Sequence, residues 1–382
     1  LATDLGVNFV GIKFKNPVLV APGPPSSSID NVRRAVEAGC GGVIVKTVVS
    51  DSLAKMRRQP RPRFHLLDWD GKLGSSKNFT LYSVDQGFPG TVEDYRNMLE
   101  EMTKKFTVPI IGSLMATVPE EWVILAQKLV NTGVVGLELD LSCPHTVEPG
   151  VYKHLANIVE AVASSINLPI IAKLPLRPDL LEIVNAVMQA GAQGVTLCNR
   201  TQGLDIDIES AMPLAPGSLA GHGGPWSKYA VLAQIVQVYK NLKVPISGTG
   251  GINSDVDALK YFLAGAQTVQ ICSGLIINGY ELIGKIVKGI ETYLDRRGYS
   301  SLQDIVGIAA VKVLDVGEIR RGGSSHARID ETKCNSCGRC IKICFHRAIS
   351  QESGHYKVLP ELCSGCGLCV QRGVCPQRAI DF

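Results

Sequence analysis

The 382-residue sequence has no apolar run of about 18 residues, so none of it is expected to span a membrane. It has no strong charge of either sign. Its 39 Lys and Arg against 35 Asp and Glu leave a formal +4, too mild and too dispersed for a nucleic-acid face. The opening residues, Leu1-Ala2-Thr3-Asp4, carry no signal-peptide pattern. No Gly-x-Gly-x-x-Gly joins a strand pattern to a helix pattern, so any nicotinamide site is expected on another chain. These absences point to a cytoplasmic protein, a setting that suits the scattered thiols of Cys40, Cys143, Cys198 and Cys272.

What is present is a large apolar fraction, 45%, and an uneven use of cysteine: eight of the 12 fall in the last 50 residues. Cys334, Cys337, Cys340 and Cys344 are spaced C-x2-C-x2-C-x3-C. Cys363, Cys366, Cys369 and Cys375 are spaced C-x2-C-x2-C-x5-C, followed by Pro376. Thiolates at such spacing wrap cubane iron–sulfur clusters, and in two-cluster ferredoxins the fourth cysteine of each run ligates the other cluster. The expected sets are therefore Cys334, Cys337, Cys340 and Cys375 for one [4Fe–4S], and Cys363, Cys366, Cys369 and Cys344 for the second. Phe345 stands where proline usually follows the first run, and residues 371–374 lie within the wider gap of the second. A disulfide framework and a zinc site are the alternatives.

The first 310 residues repeat one pattern: a helix ending in Ala-Gly or similar, then a β-branched strand. It reads Val36-Glu37-Ala38-Gly39 before Gly42-Val43-Ile44-Val45, and Met188-Gln189-Ala190-Gly191 before Gly194-Val195-Thr196-Leu197. Further copies lead into strands at 135–138 and 269–272. Glycine ends these helices because a left-handed cap needs no Cβ. The strands are apolar almost throughout, as parallel strands covered on both faces must be. Four more strand candidates lie at 18–21, 110–113, 170–173 and 246–248. Helical patterns follow at 122–130, 152–162, 180–188, 230–239 and 256–263. Eight strands alternating with helices predict an α/β fold, a (β/α)8 TIM barrel, with a doubly wound sheet as runner-up. Residues 7–14 read as a hairpin closing the barrel bottom, and 53–89 as a long insertion on the catalytic face. The expected domains are a barrel over 1–310, a linker over 311–325 and a small two-[4Fe–4S] ferredoxin-like domain over 326–382.

In a barrel, strand ends point into the site. They present Ala21 and Gly23, Lys46 and Thr47, Ser113, Asp140 with Ser142 and Cys143, Lys173, Asn199 with Arg200, Gly248 to Gly251, and Cys272 with Ser273. Gly250 and Gly251 with Ser273 are the expected phosphate loops, since glycine lets backbone N–H groups approach an anion. Glycines merely making tight turns are the bland reading. Lys46 and Lys173 each end an apolar strand, and burying a lysine there needs a partner. An electron-rich flavin ring is the expected one. Cys40, Cys198 and Cys272 read as packing residues, as buried thiols usually are.

Asn16-Pro17, Val45-Lys46-Thr47, Asn78, Leu141-Ser142-Cys143-Pro144-His145, Ala172-Lys173-Leu174, Thr249-Gly250-Gly251-Ile252 and Cys272-Ser273 occur in the order seen in the dihydroorotate dehydrogenase-type FMN barrels, which this chain resembles. With the cysteine-rich tail it most resembles the FMN and iron–sulfur subunit of dihydropyrimidine dehydrogenases. The resemblance implies an FMN- and iron–sulfur-dependent oxidoreductase acting on an activated C=C bond. Hydride would come from FMN N5 and the proton from Cys143, with His145 a weaker candidate. A partner subunit using FAD and NAD(P)H, or a ferredoxin, would supply electrons through two [4Fe–4S] clusters, in a homodimer or hetero-oligomer. It also implies cofactor contacts at Ala21, Gly23, Lys46, Thr47, Ser113, Lys173, Gly223, Gly250, Gly251, Cys272 and Ser273, and substrate contacts at Asn78, Thr80, Asp140, Ser142, Asn199 and Arg200.

Three positions depart from the pyrimidine-reducing pattern: Thr80 stands at the usual Glu, Asp140 at the usual Asn and Arg200 at the usual Thr. An amide both donates and accepts, a carboxylate only accepts, and a guanidinium only donates. Either the substrate differs, with a carboxylate for Arg200 to grip, or Asp140 and Arg200 pair with each other. A dihydrouridine synthase-like RNA enzyme and an electron-transfer subunit with a non-catalytic barrel are the alternatives. The near-neutral charge argues against the first, and Lys46, Lys173 and Cys143 against the second.

Overall fold

A computed structural model describes residues 4–56, 61–85, 87–141, 152–215, 219–319, 326–352 and 354–382. The chain divides into two compact units, Leu1–Val313 and Leu314–Phe382.

The first unit is built on eight parallel strands: β1 (Val18–Val20), β2 (Gly42–Ile44), β3 (Ile110–Met115), β4 (Leu137–Asp140), β5 (Ile170–Leu174), β6 (Gly194–Leu197), β7 (Ile246–Thr249) and β8 (Thr268–Ile271). Each pairs with the next, β8 pairs with β1, and β2 pairs with β3 through Val43 and Ile110, so the barrel closes. Eight helices pack outside: α1 (Ile29–Glu37), α2 (Val92–Lys105), α3 (Pro119–Val130), α4 (Tyr152–Ala163), α5 (Leu180–Gln189), α6 (Lys228–Leu242), α7 (Asp255–Ala264) and α8 (Glu281–Arg297). Their apolar faces meet the strands in one continuous core that includes Leu99, Leu129, Val159, Val184, Ile235 and Phe262. Fully burying side chains of this kind contributes about 1.5–3 kcal/mol each.

The expected hairpin forms from Val7–Phe9 and Ile12–Phe14. Phe9, Ile12 and Phe14 pack against Leu19, Ile44, Ile111 and Ile171 and plug the barrel bottom. Glycines make room for them. A Cβ on Gly42 would sit 2.7 Å from the Phe14 ring, one on Gly194 2.6 Å from Val10, and one on Gly136 3.1 Å from Ile12. Glycine thus stands at the start of β2 and β6 and just before β4, where the plug comes closest.

Two insertions meet at the other end. Phe64–Leu67 and Thr80–Ser83, after β2, pair with each other; Thr201–Gly203 and Ala220–Gly223, after β6, do the same. The insertions join where Leu81, Tyr82 and Ser83 pair with Gly223, His222 and Gly221. The product is one four-stranded antiparallel sheet.

The second unit holds two short antiparallel pairs, Arg328–Ile329 with Ile380–Asp381 and Ile349–Glu352 with His355–Val358, and one helix, Arg339–Ile343. Its small core includes Ala327, Ile349, Tyr356, Ala379 and Ile380 together with Cys340, Cys369 and Cys375. Two one-turn 3-10 segments, Ala310–Lys312 and Val316–Glu318, occupy the expected linker, and the break between units falls inside it.

Candidate active site

The barrel strands end in a chamber of about 1240 Å³, open mouth included, with the insertion sheet along one side. Of the predicted residues, Ala21, Gly23, Lys46, Thr47, Asp140, Lys173, Asn199, Arg200, Gly223, Gly250, Gly251, Cys272 and Ser273 line it.

Others stand elsewhere. Ser113 is fully buried, with its hydroxyl 2.9 Å from that of Thr47. Asn78 is exposed, and its backbone is tied to Asp70 and Ser76 rather than to the chamber. Thr80 donates to Asp68 at 3.0 Å and accepts from the Trp226 indole at 3.1 Å. Strand alternation explains Thr80: Leu81 lines the chamber and Ser83 meets Arg200, so Thr80 and Tyr82 face the other way. Ser142, Cys143 and His145 lie outside the described residues.

The lysines also differ from expectation, because the protein supplies their partners. Lys46 forms an ion pair with Asp85, which Arg63 approaches at 3.5 Å. Burial pulls the Lys46 ammonium below the ordinary lysine range, and Asp85 pulls it back up. Lys173 faces Glu138 at 3.5 Å. Neither carboxylate was legible as a partner, since each reaches its lysine only through the fold. The one signal was a charge inside an apolar strand, Leu137-Glu138-Leu139.

Asp140 and Arg200 bond to other groups. Asn199 donates to Asp140 at 3.1 Å. The Arg200 guanidinium donates to the Ser83 hydroxyl and to the Gly221 carbonyl, the latter at 3.4 Å. It lies flat beneath the insertion sheet, 3.0 Å from where a Cβ on Gly221 would stand. Arg200 therefore ties the sheet to the end of β6.

The residues fit a flavin mononucleotide. Gly250 and Gly251 hold φ of +108° and +71°, a region glycine tolerates, and a Cβ on Gly251 would strike the Lys228 amide at 2.8 Å. Gly23 leaves space for the Cys272 sulfur, which a Cβ would meet at 2.4 Å. Burial pushes the Cys272 thiol up against the pull of Arg200, Lys46 and Lys173, so it faces the chamber as a neutral group. Gln270 lines the wall with a buried carbonyl oxygen that has no hydrogen-bond partner among the described residues. That acceptor suits a ring N–H.

The tail sorts its thiols as the spacing suggests. One cavity is lined by Cys334, Cys337, Cys340 and Cys375, and a second by Cys344, Cys363, Cys366 and Cys369. The fourth cysteines are treated alike: the Ala348 amide donates to Cys344 Sγ at 3.3 Å and the Ala379 amide to Cys375 Sγ at 3.2 Å. Among the described residues no three potential ligands converge closely enough for a single metal ion, whereas four thiols around a wider cavity suit a cluster.

Comparison with known proteins decides the family. The dihydroorotate dehydrogenase model matches residues 4–294, and the 4Fe-4S dicluster domain model matches residues 327–382. The chain belongs to the dihydroorotate dehydrogenase family. It is similar to the catalytic subunit of dihydroorotate dehydrogenase B (NAD(+)) of Pyrococcus abyssi, 33% identical over 316 residues, 80% of this chain and 99% of the relative. It is similar also to the NAD-dependent dihydropyrimidine dehydrogenase subunit PreA of Escherichia coli K12, 28% identical over 362 residues, 90% of this chain and 86% of the relative. It is a flavin- and iron–sulfur-dependent oxidoreductase: a TIM barrel followed in sequence by a 4Fe–4S ferredoxin domain. Among its described residues no helix is long and apolar enough to cross a membrane.

Asp85 gives this dehydrogenase-family site a direct test. Lys46 and Asp85 side chains are 9% and 6% exposed, and removing one partner of so buried a pair costs about 3–5 kcal/mol. Asp85→Asn is expected to lower stability toward denaturant by that amount at neutral pH. In the variant Lys46 is buried uncharged, which costs most where free lysine is protonated. The deficit should therefore shrink as pH rises toward about 10.4, the ordinary lysine pKa. A deficit independent of pH would separate the loss from Lys46.

Proposed function

We propose that this protein reduces, or forms, an activated C=C bond in a small cyclic amide, either a pyrimidine or a carboxylated relative. The observation that carries the reading is the chamber itself, where Lys46, Lys173, Gly250, Gly251 and Ser273 line one mouth with Asp140, Asn199 and Arg200. FMN bound there supplies hydride from N5. Cys143 then has one task, to donate a proton to the carbon beside the one that receives hydride. A thiol with a pKa of about 8.5 does this at neutral pH. Gly250, Gly251 and Ser273 hold the phosphate, while Lys46 and Lys173 face the ring.

Two [4Fe–4S] clusters, one held by each cysteine set, would supply one-electron transport, fed by an FAD- and NAD(P)H-using partner subunit or a ferredoxin. Support comes from the two thiol-lined cavities and from the Escherichia coli relative, which is itself a subunit of an NAD-dependent dihydropyrimidine dehydrogenase.

Substrate choice turns on Arg200 and Asp140. A guanidinium on the chamber wall favours an anionic ring. Uracil and thymine are expected to be poor substrates beside a carboxylated analogue in an anaerobic flavin-reoxidation assay. Arg200→Thr with Asp140→Asn should weaken the anionic substrate by roughly 1.5–3 kcal/mol per lost charged hydrogen bond. A second reading has its own observation, the bonds from Arg200 to Ser83 and Gly221, which make Arg200 a clamp on the sheet. Uracil reduction by the unaltered protein at the rate of its best substrate would favour the clamp.

A further inference from the structure

Barrel interiors are filled by layers of side chains from alternate strands, and branched apolar residues dominate them. Here one layer is polar. Glu138 on β4, Thr196 on β6 and Gln270 on β8 are each no more than 1% exposed. Thr196 donates to Glu138 Oε2 at 2.7 Å, and the Gln270 amide donates to the same oxygen at 2.8 Å. The other carboxylate oxygen, Oε1, has no hydrogen-bond partner among the described residues. Its counter-group among the described residues is the Lys173 ammonium, 3.5 Å away and one step closer to the chamber. A carboxylate this deep is stable only when paired, because desolvating a lone charge costs several kcal/mol. Three residues are therefore arranged to keep a negative charge at the barrel axis behind one lysine.

We infer that Glu138 is a positioning residue that acts through Lys173: its carboxylate keeps the ammonium charged and aimed at the flavin ring, and so sets the reduction potential of the flavin. The inference rests on the FMN reading of the chamber. Reduced flavin is the more negative form, so a cation at its edge favours reduction. Without that carboxylate, Lys173 loses the counter-charge 3.5 Å from it, and burial favours the uncharged form of an unpaired amine. Other charges face the same space: Asp140 opposite Lys173 in the β4–β5 register, Lys46 with Asp85, Arg200, and the Cys272 thiol. Tyr95, on α2, also feels Glu138. All of these stay in place when Glu138 alone is changed, so they cancel in a comparison of the two proteins.

The test is Glu138→Gln, which keeps the shape and removes the charge. The flavin midpoint potential of the purified holoprotein is measured against redox dyes from pH 6 to pH 9.5, beside the unaltered protein. The expected result is a crossover. At the acid end the variant lies above the unaltered protein, because the lysine charge is no longer offset. At the alkaline end it lies below, because that charge is gone. The displacement at either end should change the reduced-to-oxidised ratio at fixed dye potential at least tenfold, about 30 mV for a two-electron couple. Potentials that run parallel at all pH values would overturn the inference and leave Glu138 a packing residue. If Glu138→Gln does not fold, Glu138→Asp decides: a folded protein whose flavin potential follows the unaltered pH profile supports the inference, and failure of both variants to fold assigns Glu138 to the stability of the barrel and overturns it. Unaltered protein that binds no FMN would instead defeat the reading of the chamber.

Discussion

Cys143→Ala is expected to slow substrate turnover by about 10²–10⁴, the range for losing a general acid. Reduction of the bound flavin by a chemical donor should proceed at the unaltered rate, because that half of the cycle protonates no carbon. The split between the half-reactions is what assigns the residue. A protein that merely lost a packing group would change both or neither. Turnover near the unaltered rate would move the proton to another group, His145 first.

Cys375→Ser should remove one cluster and leave the other, taking iron from about eight to about four per chain. The lost cluster should be the one that Cys334→Ser also removes, since Cys375 shares a cavity with Cys334, Cys337 and Cys340 and not with its neighbours in sequence. The double variant should then hold the same iron as either single one, whereas Cys375→Ser with Cys363→Ser should hold almost none. Turnover driven by a one-electron donor through the tail should fall below detection in either single variant, and the barrel should keep its FMN. Additive iron loss for Cys375 and Cys334 would mean that each run closes on its own cluster.

The barrel was legible because its strands advertise themselves. The strand at 194–197 is observed at the expected residues, and its partners differ by one or two positions at their ends. The fourth strand shows why ends slip. The expected start was 135, where Val135 is β-branched, but the ladder runs over Leu137–Asp140. Val135 is 39% exposed, and Gly136 is spent on clearing the plug. The site was legible wherever a strand end meets the chamber directly, as at Lys46, Lys173, Asn199 and Gly250. It was not legible at Asn78 and Thr80. Which face Thr80 takes is set by the pairing of its strand with Ala220–Gly223, and a one-residue change of register exchanges the faces of a strand, while Asn78 lies before that strand with its backbone tied to Asp70 and Ser76. Nor could the sequence pair Lys46 with Asp85 or Lys173 with Glu138, because those contacts are made by folding and not by spacing.

The sheet beside the chamber has a consequence for anyone who would exchange parts between relatives. Its inner strands, Thr80–Ser83 and Ala220–Gly223, come from two different insertions and hydrogen-bond to each other. Neither insertion is a self-contained cassette. Transplanting the first alone would seat a foreign strand against the native Gly221 and Gly223, whose missing Cβ atoms leave room for Arg200. A mismatched graft would leave two raw sheet edges, each a template for pairing with another molecule. The unit of exchange, and by the same logic the unit on which selection for a new substrate acts, is the pair of insertions together with Arg200.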